Sequence, residues 1–216
     1  MIPADIGDHA FANGMVFQDP GGTLAAIIAT RGWGNARRLR SVWRQFRDQA
    51  SVEDGVSLSL SARLVNLEPR EKVAIRSGAI VRGILKNEKG GRIEIGHAVY
   101  IGDDVIISAA LEVVIEAHTM VAHGVQVFDN DTHPVDPAER ESHMRMIVGQ
   151  EPQKDVSVSK APVRIGRRCW IGMNSIVLKG VTIGENTIVG AGSVVVRDLP
   201  NGVVAVGNPA RIVKRL

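Results

Sequence analysis

The most chemically pointed stretch of this sequence is Asp129-Asn130-Asp131-Thr132-His133-Pro134. An imidazole takes up and releases protons near neutral pH, so His133 is suited to general acid–base work. Asp129 and Asp131 can hold such a ring by accepting from the nitrogen that is not acting as base. They can equally cap the turn they sit in, because Asp and Asn bond nearby backbone amides. A second group is His97, His118 and His123, the last two five apart. Three histidines around one open position are sound zinc chemistry. Cys169 is the only cysteine, so no internal disulfide can form, which fits a reducing compartment.

What positions these residues is an internal repeat. From Ile165 the same kind of residue returns every sixth place: Ile171, Val177, Ile183, Val189, Val195. Gly follows in four of the first five steps, at 166, 172, 184 and 190, with Leu178 the exception. Four places after each aliphatic stands a small or β-branched residue: Cys169, Ser175, Val181, Thr187, Ser193. Helices repeat at about 3.6 residues and strands at about 2.0, so this period belongs to neither alone. It suits a short extended flat and a tight turn, repeated. Three flats make one coil of a triangular prism, roughly eighteen residues around, with each aliphatic pointing inward and stacking on the next. The glycines are expected to supply the backbone freedom of a sharp corner. One coil cannot bury its own face, so several must stack.

The same step is visible earlier, at Ile75 and Val81, then at Ile95, Ile101 and Ile107. Leu58, Leu60 and Leu64 suggest an opening coil, and 86–92 reads as a turn or loop. A two-residue slip near Val113 precedes Ile115, Val121 and Val127, and is expected to bulge outward. The period stops at Phe128 and returns at Val163, so 129–162 is a long protruding excursion that opens with the His133 motif. Excursions of this length without a period are usually functional or disordered. Residues 35–49 read as a helix with Leu39, Val42, Trp43 and Phe46 on one side and Arg37, Arg38, Arg40, Arg44 and Arg47 on the other. Such a helix can lie on an anionic membrane, but a cap over the open end of the prism is the preferred reading. The chain thus divides into an N-terminal segment, 1–51, and a repeat domain, 52–216.

Aromatic residues make up 4% of the 216, as a narrow prism requires, and the formal charge is +3. No clustered basic face with a nucleic-acid fold signature is present, so no nucleic-acid partner is expected. Residues 24–29 are apolar but too short to span a bilayer. The start, with Asp5 and Asp8, has no secretory pattern. A protein of the cytoplasm without stable membrane insertion is expected.

The repeat resembles that of the hexapeptide-repeat family, the left-handed parallel β-helices. Three features resemble its sugar O-acetyltransferase branch, the maltose, galactoside and nodulation acetyltransferases: the motif at 129–134, Cys-Trp-Ile-Gly at 169–172 and Gly-Asn-Pro-Ala-Arg at 207–211. The resemblance implies an all-β fold, a left-handed β-helix with a small helical cap and a long protruding loop. It implies acetyl-CoA as donor, a sugar or glycan-precursor hydroxyl as acceptor in polysaccharide biosynthesis, a homotrimer, and no metal. His133 falls at the family's catalytic His-Pro position. Ser108 corresponds to the place from which relatives aim a donor at the thioester oxygen, and a backbone amide can also serve. By the same resemblance Trp170 falls at the family's Trp position, where it lines the acceptor or pantetheine channel or packs at a subunit seam, Met173, Ala191 and Gly192 fall beside the pantetheine arm, and Arg197, Arg211 and Lys214 near the CoA phosphates. Residues of the excursion such as Glu139, Arg140, Glu141, His143 and Arg145 are expected to help choose the acceptor. Two other readings stand beside this one. His118 and His123 resemble the Gly-His-x4-His pattern of γ-class carbonic anhydrases, with His97 as third ligand. A β-helix can also be a scaffold without activity.

Overall fold

The computed structural model describes the backbone of residues 16–18 and 24–216. The N-terminal stretch carrying Asp5 and Asp8 lies outside the described residues. Helix α1 (Leu24–Gln49) begins well before the expected start at 35 and runs through Gly32 and Gly34. A glycine inside a helix costs about 1 kcal/mol, which weakens a helix without ending it. Leu39, Val42, Trp43 and Phe46 are buried and join the core of the prism, while Arg37, Arg38, Arg40, Arg44 and Arg47 face solvent. α1 contacts the strands of the first coil, closing that end. Among the described residues no helix is long and apolar enough to cross a membrane.

From Ser51 the chain winds through three parallel faces. The first and third faces each contain six strands, so six full coils stack. In the fourth coil the first face is Val113–Ile115, the second Met120–Val121 and the third Gln126–Phe128. The second face continues past the sixth coil into Val203–Val206, which pairs antiparallel with Arg211–Arg215. The inward residues stack as the repeat requires: Val127 lies over Ile107 and under Val177, all fully buried. Each such aliphatic contributes about 1.5–3 kcal/mol of burial. The architecture is the left-handed parallel β-helix.

The glycines that follow the aliphatics act differently from expectation. Gly96, Gly102, Gly166, Gly172 and Gly184 do not have positive φ; they are needed because the next coil passes too close. A Cβ on Gly172 would stand 2.5 Å from the Ala191 nitrogen. The left-handed corner lies two places later, at Ala98, Asp104, His118, Arg168, Asn174 and Asn186 as well as Gly124 and Gly192.

In the first four coils the residues added to the six-residue step fall on one edge, where the third face of a coil returns to the first face of the next, whereas the step from Val81 to Leu85, between second and third faces, is two residues short. The additions fall at 67–72, 88–92, 110–112 and the excursion 129–162. The slip near Val113 is therefore an outward bulge on the edge that carries His133. The excursion is folded rather than a plain loop, because it contains helix α2 (Pro137–Ile147). Asp136 caps α2 by accepting from the amides of Ala138 and Glu139, Pro137 occupies its first turn, and Met146 anchors it by burial.

Candidate active site

The root of the excursion is a short antiparallel clasp. Asn130 pairs with Lys160, the Asp131 amide donates to the Ser159 carbonyl and the Ala161 amide to the Asp129 carbonyl. Asn130 Oδ1 then accepts from the Thr132 amide at 2.9 Å, an Asx turn that places Thr132 in the left-handed region at φ 61°. A β-branched residue there is strained, and such strain gathers at functional positions. The turn is closed by the His133 amide donating to the Asp131 carbonyl at 2.6 Å. It thrusts the His133 side chain into the open, while Pro134 is buried behind it. Arg140 of α2 donates to the carbonyls of Pro134 and Val135 at 3.1 and 2.7 Å, fixing the turn to the helix.

The two aspartates do not hold the imidazole, which corrects the expectation for Asp129 and Asp131. Asp129 is fully buried and its carboxylate accepts from the amides of Ala110, Leu111 and Glu112 at 2.8, 2.7 and 2.7 Å. It also accepts from Asn130 Nδ2 at 2.9 Å. It therefore caps the bulge of the coil below and ties the excursion to the prism. Asp131 pairs with Lys179 on the same edge one coil above. The nearest polar partner of the His133 ring is His143 of α2, with Nδ1 atoms 3.4 Å apart and ring centroids at 5.1 Å. No spacing rule marks this pair, since a separation of ten positions becomes a contact only through α2.

Ser108 is 2% exposed and lies in register between Lys86 and Phe128, its carbonyl accepting from the Asp129 amide. It sits within the third-face strand Ile106–Ala109, where its side chain is buried. Of the excursion residues expected to read an acceptor, Glu141 and Arg145 pair with each other and Arg140 is bound to backbone. Glu139 lines a cavity of about 210 Å³ between α2 and the irregular segment 154–157, with Ser142, Lys154, Asp155 and Ser157.

The residues expected at the donor are partly gathered. Met173, Ala191 and Gly192 meet at the corner between second and third faces, the Gly192 amide donating to the Met173 carbonyl at 2.8 Å. All three are exposed, and a Cβ on Gly192 would meet nothing within 4 Å, so a thin open ledge runs here. The segment 207–210 packs on the same corner of the last coil through Ser193 and Val194, bringing Arg211 nearby. Trp170 is 49% exposed on the second face, in the register row that ends at Lys214. Arg197 lies across the third face, on the return edge above Lys179 and His133. Exposed Arg and Lys with small corner residues fit a phosphate-bearing ligand with a slender arm. His133 and this ledge nevertheless lie on opposite edges of the third face of one chain.

The alternative zinc set is not assembled. His97 and His118 stack edge to face with centroids 5.3 Å apart, and Ser77 bonds His97. His123 sits at the next corner, where its Nδ1 accepts from the Asp103 amide at 3.2 Å. Among the described residues no group of three or more His, Cys, Asp or Glu is placed to hold a metal. Cys169 is buried, and that burial pushes its thiol above the ordinary range.

Residues 162–197 match the bacterial transferase hexapeptide family, six repeats. A probable acetyltransferase of Mycobacterium tuberculosis is 31% identical over 95% of this chain and 69% of its own length. Galactoside O-acetyltransferase of Escherichia coli is 32% identical over 59% of the chain, a match that spans little more than half, 56%, of that enzyme. Nodulation protein L of Rhizobium meliloti is 37% identical over 62% of the chain and 66% of the relative. Among solved structures, the polySia-specific acetyltransferase NeuO superposes with a TM-score of 0.63 at 26% identity, covering 76% of this chain and 70% of that one. A hexapeptide-repeat acetyltransferase of Vibrio cholerae, complexed with acetyl-CoA, shares the fold over 92% of both chains, with a TM-score of 0.56 at 20% identity.

Proposed function

The chain belongs to the hexapeptide-repeat transferases, and from that premise we propose that it moves an acetyl group from acetyl-CoA to a hydroxyl of a sugar or glycan precursor, with His133 as general base. The observation that carries this reading is the His133 turn, which holds an unburied imidazole on a strained, multiply bonded corner with both neighbouring carboxylates occupied elsewhere. His133 Nε2 takes the proton of the acceptor hydroxyl as the new C–O bond forms, because an alcohol is a poor nucleophile at neutral pH. The same nitrogen returns that proton to the departing thiol. Acetyl-CoA supplies the activated acyl group. Met173, Ala191 and Gly192 would line its arm, and Arg211 and Lys214 would meet its phosphates. A cytoplasmic setting is part of this reading, in keeping with a single buried thiol.

A homotrimer completes the site in this reading. The second face carries an outward apolar row in register, Ile80, Tyr100, Met120, Trp170, Ile188 and Val204, in which Met120 is 52% exposed. An apolar stripe of that continuity favours association. A second copy would bring its ledge toward the His133 edge that one chain leaves apart.

The test is thiol release from acetyl-CoA against a panel of sugars and nucleotide sugars, with the His133→Ala variant beside the parent. A folded variant with turnover lowered at least about 100-fold is expected. Unchanged turnover would remove His133 from the chemistry.

A further inference from the structure

We propose that His143 is the positioning residue of His133, accepting the hydrogen on His133 Nδ1 and so fixing the tautomer whose Nε2 is free to act as base. The inference rests on the reading of His133 above. Between two imidazole Nδ1 atoms 3.4 Å apart only one hydrogen fits, so one ring donates and the other accepts. A base at Nε2 requires His133 to be the donor and His143 Nδ1 the acceptor. The rings are tilted by 51° with centroids 5.1 Å apart, and the contact between them is made through the two Nδ1 atoms.

The turn that carries His133 is bonded to the helix that carries His143. α2 is capped by Asp136, anchored by Met146 and bonded through Arg140 to the two carbonyls that follow His133. The charged groups around the pair are Asp131, held by Lys179, then Arg140, held by backbone, with Asp136 at the cap and Glu139 one turn before His143. None of these carboxylates is bonded to either ring. His143 thus takes the orienting place that a carboxylate holds in a triad. When Nε2 of His133 gains its proton, the bond to His143 becomes charge-assisted and strengthens, which favours the state formed during attack.

The distinguishing variants are His143→Asn, whose Oδ1 falls where Nδ1 stood, and His143→Phe, which keeps a ring and loses the acceptor. Nitrogen NMR of the full chain labelled at histidine reads the His133 tautomer without turnover. The Nδ1–H form is expected in the parent and in His143→Asn, and its loss in His143→Phe. Turnover should fall about 10–100-fold in His143→Phe at unchanged KM for acetyl-CoA, and recover to within a few-fold in His143→Asn. An Nε2–H tautomer at His133 in the parent, or His143→Asn no better than His143→Phe, would overturn the positioning role. Full turnover in His133→Ala would instead remove the base assignment itself, so the two failures are told apart.

Discussion

Replacing Asp129 by Ala should unfasten the protein rather than merely slow it. Its carboxylate serves three amides of the bulge below, at 2.7–2.8 Å, and the Asn130 side chain. The Ala110 amide is buried, so losing its acceptor costs about 1–3 kcal/mol. The amides of Leu111 and Glu112 are nearer the surface, where water recovers part of the loss and leaves about 1 kcal/mol each. The whole effect is about 3–5 kcal/mol, a large share of a typical stability of about 5–15 kcal/mol. In a chain of this length each kcal/mol moves Tm by about 2–4 °C, so a fall of about 6–20 °C is expected. The assay is thermal unfolding with hydrogen exchange read at 110–112. Those amides should lose protection while the coils beyond Ile165 keep theirs. If Asp129 oriented the imidazole instead, turnover would drop while Tm and exchange stayed put. That result would refute the reasoning.

Gly172→Ala should cost about 3 kcal/mol or more, since its Cβ meets backbone of the next coil, whereas Gly192→Ala, in open space at φ 69°, should cost about 1 kcal/mol; equal Tm losses would contradict the close-approach account. Ala98→Gly should stabilise the fold by roughly 0.5 kcal/mol and so raise Tm slightly, because relief of a left-handed alanine at φ 51° outweighs the entropy of glycine; a lower Tm would count against it. Burial raises the Cys169 thiol, so little thiolate exists at neutral pH and a thiol reagent should label it only after unfolding; rapid labelling of the native protein would show the site to be open. Met120→Glu places a charge in the outward apolar row and should give monomers by light scattering with the coils intact; a parent that is itself an active monomer would end the trimer proposal.

Much of this molecule was legible in one dimension. The six-residue return of Ile and Val determines which side chains point inward, because a narrow three-sided column admits one aliphatic per flat. From that follow the stacking of Ile107, Val127 and Val177, the cap made by Leu39 to Phe46, and the excursion as the place where the period fails. The His-Pro motif at its opening could be singled out from residue types alone.

Other features depended on which segments meet across coils. The glycine that follows most of the aliphatics from Ile165 onward looked like corner freedom, but the spacing between coils makes it a matter of room, and the left-handed residue stands two places on. Asp129, chemically the equal of Asp131 in the sequence, is drawn inward because three amides of a lower bulge converge on it. His143 acquires a role only when α2 folds back across ten residues to face His133. The aliphatic period is local and repeats, so the sequence by itself determined the column; hydrogen-bond partners are set by distances between segments far apart along the chain, so only the tertiary structure decided which polar residues hold the corner and which stay open for chemistry.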